Sequence, residues 1–74
     1  MNDIIECNIR IRKNPYDLEA FFMRGVAFYE IGEYEKALED FNEVFYINPL
    51  NEAIYYYLGA ISEKKNSNNL LKNN

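Results

Sequence analysis

The chain contains the stretch NPYDLEAFFMRG at residues 14–25 and a related stretch, NPLNEAIYYYLG, at residues 48–59. Both begin with Asn-Pro and end with glycine, and an aromatic residue lies at the equivalent places Phe21 and Tyr55. Each match is offset by 34 residues. Internal periods of about 20 to 50 residues are typical of repeat proteins, so this period predicts stacked copies of one structural unit.

The complete copy is predicted to be a pair of helices. Asp17 suits the N-cap of the first helix, and Gly32 suits its end. Between them, large or apolar residues and one glycine recur at spacings of three and four: Leu18, Phe21, Phe22, Gly25, Phe28 and Tyr29. A second helix opens near Glu33 and closes at Asn48-Pro49, because the residue before proline is disfavoured in the α region.

The second helix has an apolar stripe and a charged face. The predicted inner stripe is Tyr34, Ala37, Leu38, Phe41, Val44 and Phe45, and the predicted outer face is Glu35, Lys36, Glu39, Asp40 and Glu43. The connection at residues 31–33 is short, so the two helices should lie antiparallel as a helical hairpin. Gly25 and Gly59 lie within helices, where glycine costs about 1 kcal/mol relative to alanine. We expect a close helix crossing at such positions, with Ala37 facing Gly25.

The remaining segments extend this pattern to an all-α chain of about four helices. We expect a partial repeat at residues 1–17, a full repeat at 18–51 and a partial repeat at 52–65, which together form one domain over residues 1–65. The asparagine-rich residues 66–74 are expected to form a frayed polar tail.

Composition excludes several kinds of chemistry. The chain has no histidine, and Cys7 is its single cysteine, so neither an internal disulfide nor a closed zinc site is expected. Glu39, Asp40 and Glu43 are better interpreted as a solvated helix face than as a metal site. With no candidate base, nucleophile pair or phosphate loop, neither a catalytic residue nor a cofactor is predicted. The lone cysteine fits a reducing, cytoplasmic location.

The charge pattern bears on possible partners. Net charge is −4, and from residue 17 to residue 52 nine acidic residues face two basic ones, a local balance of −7. Because a phosphate backbone is bound through clustered Lys and Arg, nucleic acid is not expected as a partner. The longest apolar run, residues 54–58, is far below the ~18 residues that suggest a membrane span, so no membrane association is expected.

These residues resemble the tetratricopeptide repeat, a 34-residue helix-turn-helix unit. The run from Gly32 to Ala37 is especially similar to that family. The other family positions of the full repeat are occupied by Phe21, Gly25, Phe28, Phe41 and Pro49, and those of the next copy by Tyr55, Leu58 and Gly59. The chain departs from the family at Arg24, Val44 and Ser62, where leucine, alanine and tyrosine are usual, so looser packing is expected there.

The resemblance implies a function, because related proteins bind peptides or helices in a groove lined by their first helices. Carried onto this chain, the groove residues are Glu19, Phe22, Val26, Tyr29, Tyr56, Ala60 and Glu63. The basic clamp for acidic carboxyl ends is absent, since its places hold Phe22, Val26, Tyr57, Glu19 and Met23. An apolar or amphipathic protein segment is therefore the expected partner. The alternative is that the aromatic stripe only packs against a neighbouring helix.

A second function hypothesis is self-assembly. Residues 54–58 are consecutive apolar residues that point all around their helix, and the chain has fewer complete repeats than the three or so that stability requires. The predicted oligomer edge is Ile54, Tyr55, Tyr57 and Leu58. In this hypothesis the chain is a homo-oligomer, a dimer in which copies complete each other's repeats, or a fragment of a longer array.

Overall fold

The computed structural model describes the backbone of residues 3–72 and the side chains of residues 3–66, and it contains four α-helices in that part of the chain. They are α1 (Asp3–Lys13), α2 (Leu18–Glu30), α3 (Tyr34–Ile47) and α4 (Glu52–Lys72). Within the described residues no strand is present, so the predicted all-α class with helical hairpins is confirmed.

Local sequence explains where α2 begins and ends. The side chain of Asp17 accepts a hydrogen bond from the backbone nitrogen of Ala20 at 3.1 Å, which satisfies one of the free donors at the helix start. At the other end, Gly32 has φ +83°, a conformation that glycine adopts readily. The Glu33 nitrogen donates to the Phe28 carbonyl at 2.9 Å, and the Gly32 nitrogen donates to the Tyr29 carbonyl at 3.1 Å. This is a Schellman motif, and it turns the chain directly into α3.

The α2–α3 hairpin depends on a close contact at Gly25. A Cβ atom at Gly25 would lie 2.7 Å from Cε1 of Phe41, a residue whose side chain is fully buried. The predicted close approach at Gly25 is therefore confirmed, although the group that faces it is the Phe41 ring and not Ala37. At Gly59 the prediction was wrong, because nothing lies within 4 Å of an equivalent Cβ.

The core lies where α2, α3 and α4 meet. Its buried apolar side chains are Phe21, Ala37, Phe41, Val44, Ile54 and Ile61. Helix α1 packs on the other side of α2 and buries Cys7. Two residues that lie 34 positions apart, Ala20 of α2 and Ile54 of α4, are both inaccessible to solvent, so these equivalent positions of the repeat are buried alike.

One prediction about a charged residue needs correction. Asp40 was placed on the solvated face of α3, but it is only 2% exposed and is hydrogen-bonded by Arg24. Helix α4 extends to Lys72, into the segment 66–74 that is predicted to be a frayed polar tail. Residues 60–72 contain neither proline nor glycine, and adding residues to an existing helix costs little compared with starting one. Residues 73–74 of the predicted tail lie outside the described residues.

Candidate protein-binding groove

Glu19, one of the predicted groove residues, belongs to a three-residue ion cluster. Arg10 of α1 donates from Nε and Nη2 to the two carboxylate oxygens of Asp17, at 3.1 Å each, and from Nη2 to Glu19 at 2.9 Å. Hydrogen bonds to Glu19 and then to Asp17 raise the pKa of Arg10. The pKa of Asp17 is lowered, first by the hydrogen bond from the Ala20 nitrogen and then by Arg10. Glu19 is thus paired with Arg10, and it does not line either of the two depressions described below.

The middle of the predicted groove is a shallow apolar depression of about 260 Å³. Phe22 and Val26, both predicted, lie in its floor, where they are half-buried and pack against the core. The depression is completed by Met23 and Tyr57, which the sequence had placed at the clamp positions, and by three residues that were not predicted for the groove: Asp3, Ala27 and Glu30. Asp3 and Glu30 line the same depression because α1 and α2 are antiparallel neighbours, which only the packing of the two helices decides.

The far end is a larger depression of about 460 Å³ between α2 and α4. It brings together four of the seven predicted residues, Tyr29, Tyr56, Ala60 and Glu63. Tyr56 is 70% exposed, so its ring is available to a partner. Tyr55, Gly59 and Lys64 also line this depression. Tyr55 and Gly59 follow from their places in the period, whereas nothing in the pattern indicated Lys64.

Tyr57 lines the middle depression, and its ring contacts residues of both depressions. Its ring stacks on Phe41 with centroids 5.1 Å apart, and it meets Phe22 at 5.7 Å and Tyr29 at 5.6 Å. Edge-to-face and offset aromatic pairs of this kind add about 0.5–1.5 kcal/mol each beyond area burial. The groove floor is therefore a set of aromatic rings in mutual contact, and Tyr56 extends it at 5.2 Å from Tyr57.

This arrangement corrects the predicted oligomer edge. Ile54 is fully buried against α3, and Tyr57 is half-buried in the ring cluster, so neither offers much surface to a second molecule. Leu58 is partly buried and packs against the core. Tyr55 alone of the four is well exposed. The consecutive apolar residues of α4 therefore divide between a buried side and an exposed side.

A second polar network lies away from the groove and ties three helices together. Arg24 donates to both oxygens of Asp40, at 2.9 and 2.6 Å, and to the side-chain oxygen of Asn8 at 2.7 Å. The hydrogen bond to Asp40 is the main reason that the pKa of Arg24 is raised. The departure from leucine at this position was expected to loosen the packing, but it supplies a buried bidentate ion pair.

The described residues contain little that is suited to catalysis or metal binding. Among them no group of three or more Cys, Asp or Glu side chains is arranged to hold a metal ion. Cys7 is buried, and burial raises the pKa of its thiol, so the reactive thiolate is disfavoured. None of the helices in this part of the chain has the length and apolar character needed to cross a membrane. What the arrangement provides is an aromatic concave surface with carboxylates at its margins.

Comparison with known proteins agrees with this geometry. The family model described as "Tetratricopeptide repeat" matches residues 18–51, the same span that the period defines. Residues 18–51 form a tetratricopeptide repeat. Helices α2 and α3 are the two helices of this repeat, and Gly32 lies in its turn.

The chain is also similar to a mouse protein described as "FK506-binding protein-like" [Mus musculus]. The two are 36% identical over 55 residues, which is 74% of this chain but 16% of that protein. The chain thus spans a small part of the curated relative. No solved structure matches this chain.

Proposed function

We propose that this chain is a non-enzymatic interaction module that binds an apolar or amphipathic polypeptide segment. The binding site is the groove of Glu19, Phe22, Val26, Tyr29, Tyr56, Ala60 and Glu63. Tetratricopeptide repeats generally serve protein–protein interaction, and this chain contains one. The observation that carries the finer proposal is the aromatic floor, which runs from Phe22 through Tyr57 to the exposed ring of Tyr56.

The charges at the margins favour an amphipathic partner over a purely apolar one. Asp3 and Glu30 border the middle depression, and within residues 3–66 neither carboxylate has a basic side chain within 4.0 Å. Glu63 lies at the far end beside Lys64. A segment with apolar side chains for the floor and a lysine or arginine beside Asp3 and Glu30 would complement this surface.

Binding can be tested with a phage-displayed library of amphipathic helical peptides selected on the whole chain. Tyr56→Ala should weaken the selected peptides by about 1 kcal/mol or more, because exposed aromatic residues of this kind are common binding hot spots. Tyr46→Ala is the matched control, since Tyr46 lies on α3 outside the groove and is 80% exposed against 70% for Tyr56. The proposal fails if no peptide is selected, or if both changes weaken binding equally.

Self-assembly remains the alternative function and is less well supported. Of its predicted edge only Tyr55 is well exposed, while Ile54 is used inside the chain. Light scattering at micromolar concentration distinguishes partner binding by a monomer from self-assembly. A mass near 8.8 kDa supports a groove that is free for another protein, whereas twice that mass supports the dimer. We also propose that the chain acts in the cytoplasm, because its single cysteine fits a reducing compartment.

A further inference from the structure

The middle depression of the groove combines apolar surface with negative charge. Met23, Val26 and Ala27 of α2 supply aliphatic surface. Asp3 and Glu30, which we call the rim carboxylates, also line the depression, and both are exposed. All of its described lining residues are thus apolar, aromatic or acidic. A lysine or arginine side chain has the complementary form, because its long stem packs on apolar surface while its charge stays in water.

The charge of this depression is not balanced within the described chain. Neither rim carboxylate has a lysine or arginine nitrogen within 4.0 Å among residues 3–66. Arg10 contacts the sulfur of Met23 at 3.8 Å, but its guanidinium is bound to Asp17 and Glu19. Because two carboxylates already balance that cation, the rim carboxylates are left to attract a cation from a partner.

The position of Glu30 in its helix supports the same conclusion. Glu30 is the last residue of α2, and the last turn of α2 contains no basic residue. The negative end of the helix dipole lies there, so a carboxylate is unfavourable at this place and a cation is favourable. Helix stability therefore gives no reason for a carboxylate here. A bound cation would interact favourably with both the Glu30 side chain and the end of the helix.

The size and surroundings of the depression indicate what could occupy it. Its volume is about 260 Å³, below the roughly 300–1,000 Å³ of small-molecule sites, so it suits one side chain better than a whole ligand. Its lining comes from α1, α2 and α4, so helices of this chain already flank it. A further helix stacked on the outer side of α4 would not cover it, whereas a segment lying along the groove would.

We infer that the groove selects its partner by charge, and that the middle depression receives one lysine or arginine side chain of the bound segment. The stem of that side chain lies on Phe22 and Val26, and its cationic end lies at Asp3 and Glu30. The same two carboxylates repel an acidic segment. The inference rests on the proposed function, since it specifies a residue of the polypeptide that the groove binds. The partner is therefore a basic amphipathic segment.

The probe is a phage-displayed library of amphipathic helical peptides in which one position per turn varies among Lys, Arg, Leu, Gln and Glu. Peptides selected on the whole chain should retain Lys or Arg at one such position. Replacing that residue by norleucine keeps an apolar stem and removes the charge. Fluorescence anisotropy should then show binding about fivefold weaker, and added salt should weaken only the cationic peptide.

Variants of the chain test the two rim carboxylates directly. Asp3→Asn and Glu30→Gln should each weaken the cationic peptide about two- to fivefold and leave the norleucine peptide unchanged. Glu43→Gln is the matched control, because Glu43 is an exposed glutamate of α3 that lines a different depression. Glu30→Gln should also raise the melting temperature by about 2–5 °C, since it removes a carboxylate from the negative end of α2. A merely structural role would instead lower it.

The outcomes separate this inference from the proposed function. If no peptide is selected, both are overturned. If peptides bind as well with norleucine, or retain glutamate at the varied positions, only the charge selectivity is overturned. A lower melting temperature of Glu30→Gln would show that the carboxylate serves the fold and would also overturn it. So would a dimer that Glu30→Gln converts to monomer, because a second copy would then be the occupant.

Discussion

Gly25 and Gly59 hold equivalent places in the 34-residue period, yet replacing each by alanine should change stability in opposite directions. Both lie inside helices, so both replacements gain about 1 kcal/mol of intrinsic helix propensity. At Gly59 the added methyl group meets nothing within 4 Å, and the gain should appear in full. At Gly25 the methyl carbon would be 2.7 Å from Cε1 of Phe41 and must displace that ring.

The ring of Phe41 has little freedom to move. It is fully buried, it stacks on Tyr57 at 5.1 Å, and Phe22 meets it edge-on at 5.9 Å. Inserting a methyl group into such packing costs about 1–3 kcal/mol. After the propensity gain is subtracted, Gly25→Ala should destabilise the chain by up to about 2 kcal/mol. Gly59→Ala should stabilise it by about 1 kcal/mol.

Urea denaturation followed by circular dichroism measures both changes against the unmodified chain. For a domain of this size, 1 kcal/mol corresponds to roughly 4–8 °C in melting temperature, so thermal melting resolves the pair as well. The reasoning is refuted if Gly25→Ala stabilises the chain as much as Gly59→Ala does. A loss of stability at Gly59 would show that its surroundings are occupied in solution, for example by a second copy.

Three further outcomes are expected. Arg24→Leu, which restores the residue usual in the family, should cost about 3 kcal/mol in urea unfolding, because the Asp40 carboxylate is left buried without its partner. Adding Asp40→Ala should recover part of that loss, and a stable single variant would contradict this account. The pKa of Asp17 is held below its ordinary 3.8, so its stabilising contribution is present above that pH and is lost as pH falls through the lowered pKa. Asp17→Asn should make melting temperature less dependent on pH in this acidic range. Finally, Cys7 should react slowly with Ellman's reagent until urea unfolds the chain, and rapid labelling under native conditions would contradict its burial.

Much of the architecture was predictable because it depends on local signals. Asp17 as N-cap, Gly32 in the turn and Pro49 after α3 each act within a few residues of their own position, and the structure places each where the pattern indicated. The burial of Asp40 was not predictable in this way. A carboxylate among other charged residues of α3 suggests a solvated face. The burial of Asp40 is favourable only because Arg24 of α2 donates hydrogen bonds to it.

In the candidate groove, too, residues placed by helix register were predictable and residues brought together by helix packing were not. The places of Phe22, Val26 and Tyr56 followed from the resemblance to the family, since they depend on helix register. The two acidic residues Asp3 and Glu30 were missed, because they are far apart in sequence and come to line one depression only where α1 packs against α2. The predicted edge failed at Ile54 because a run of apolar residues does not say which side a neighbouring helix will cover.

The sequence by itself determined the helices, the hairpin and the 34-residue register, because caps, turns and helical periodicity are short-range properties of the chain. Only the tertiary structure decided how equivalent residues are used. Gly25 meets a buried ring while Gly59 faces open space, and Phe21 is covered while Tyr55 is exposed. The physical reason is that burial depends on which helix lies alongside, and within the described part of the chain α4 packs against α3, whereas α2 packs against both α1 and α3.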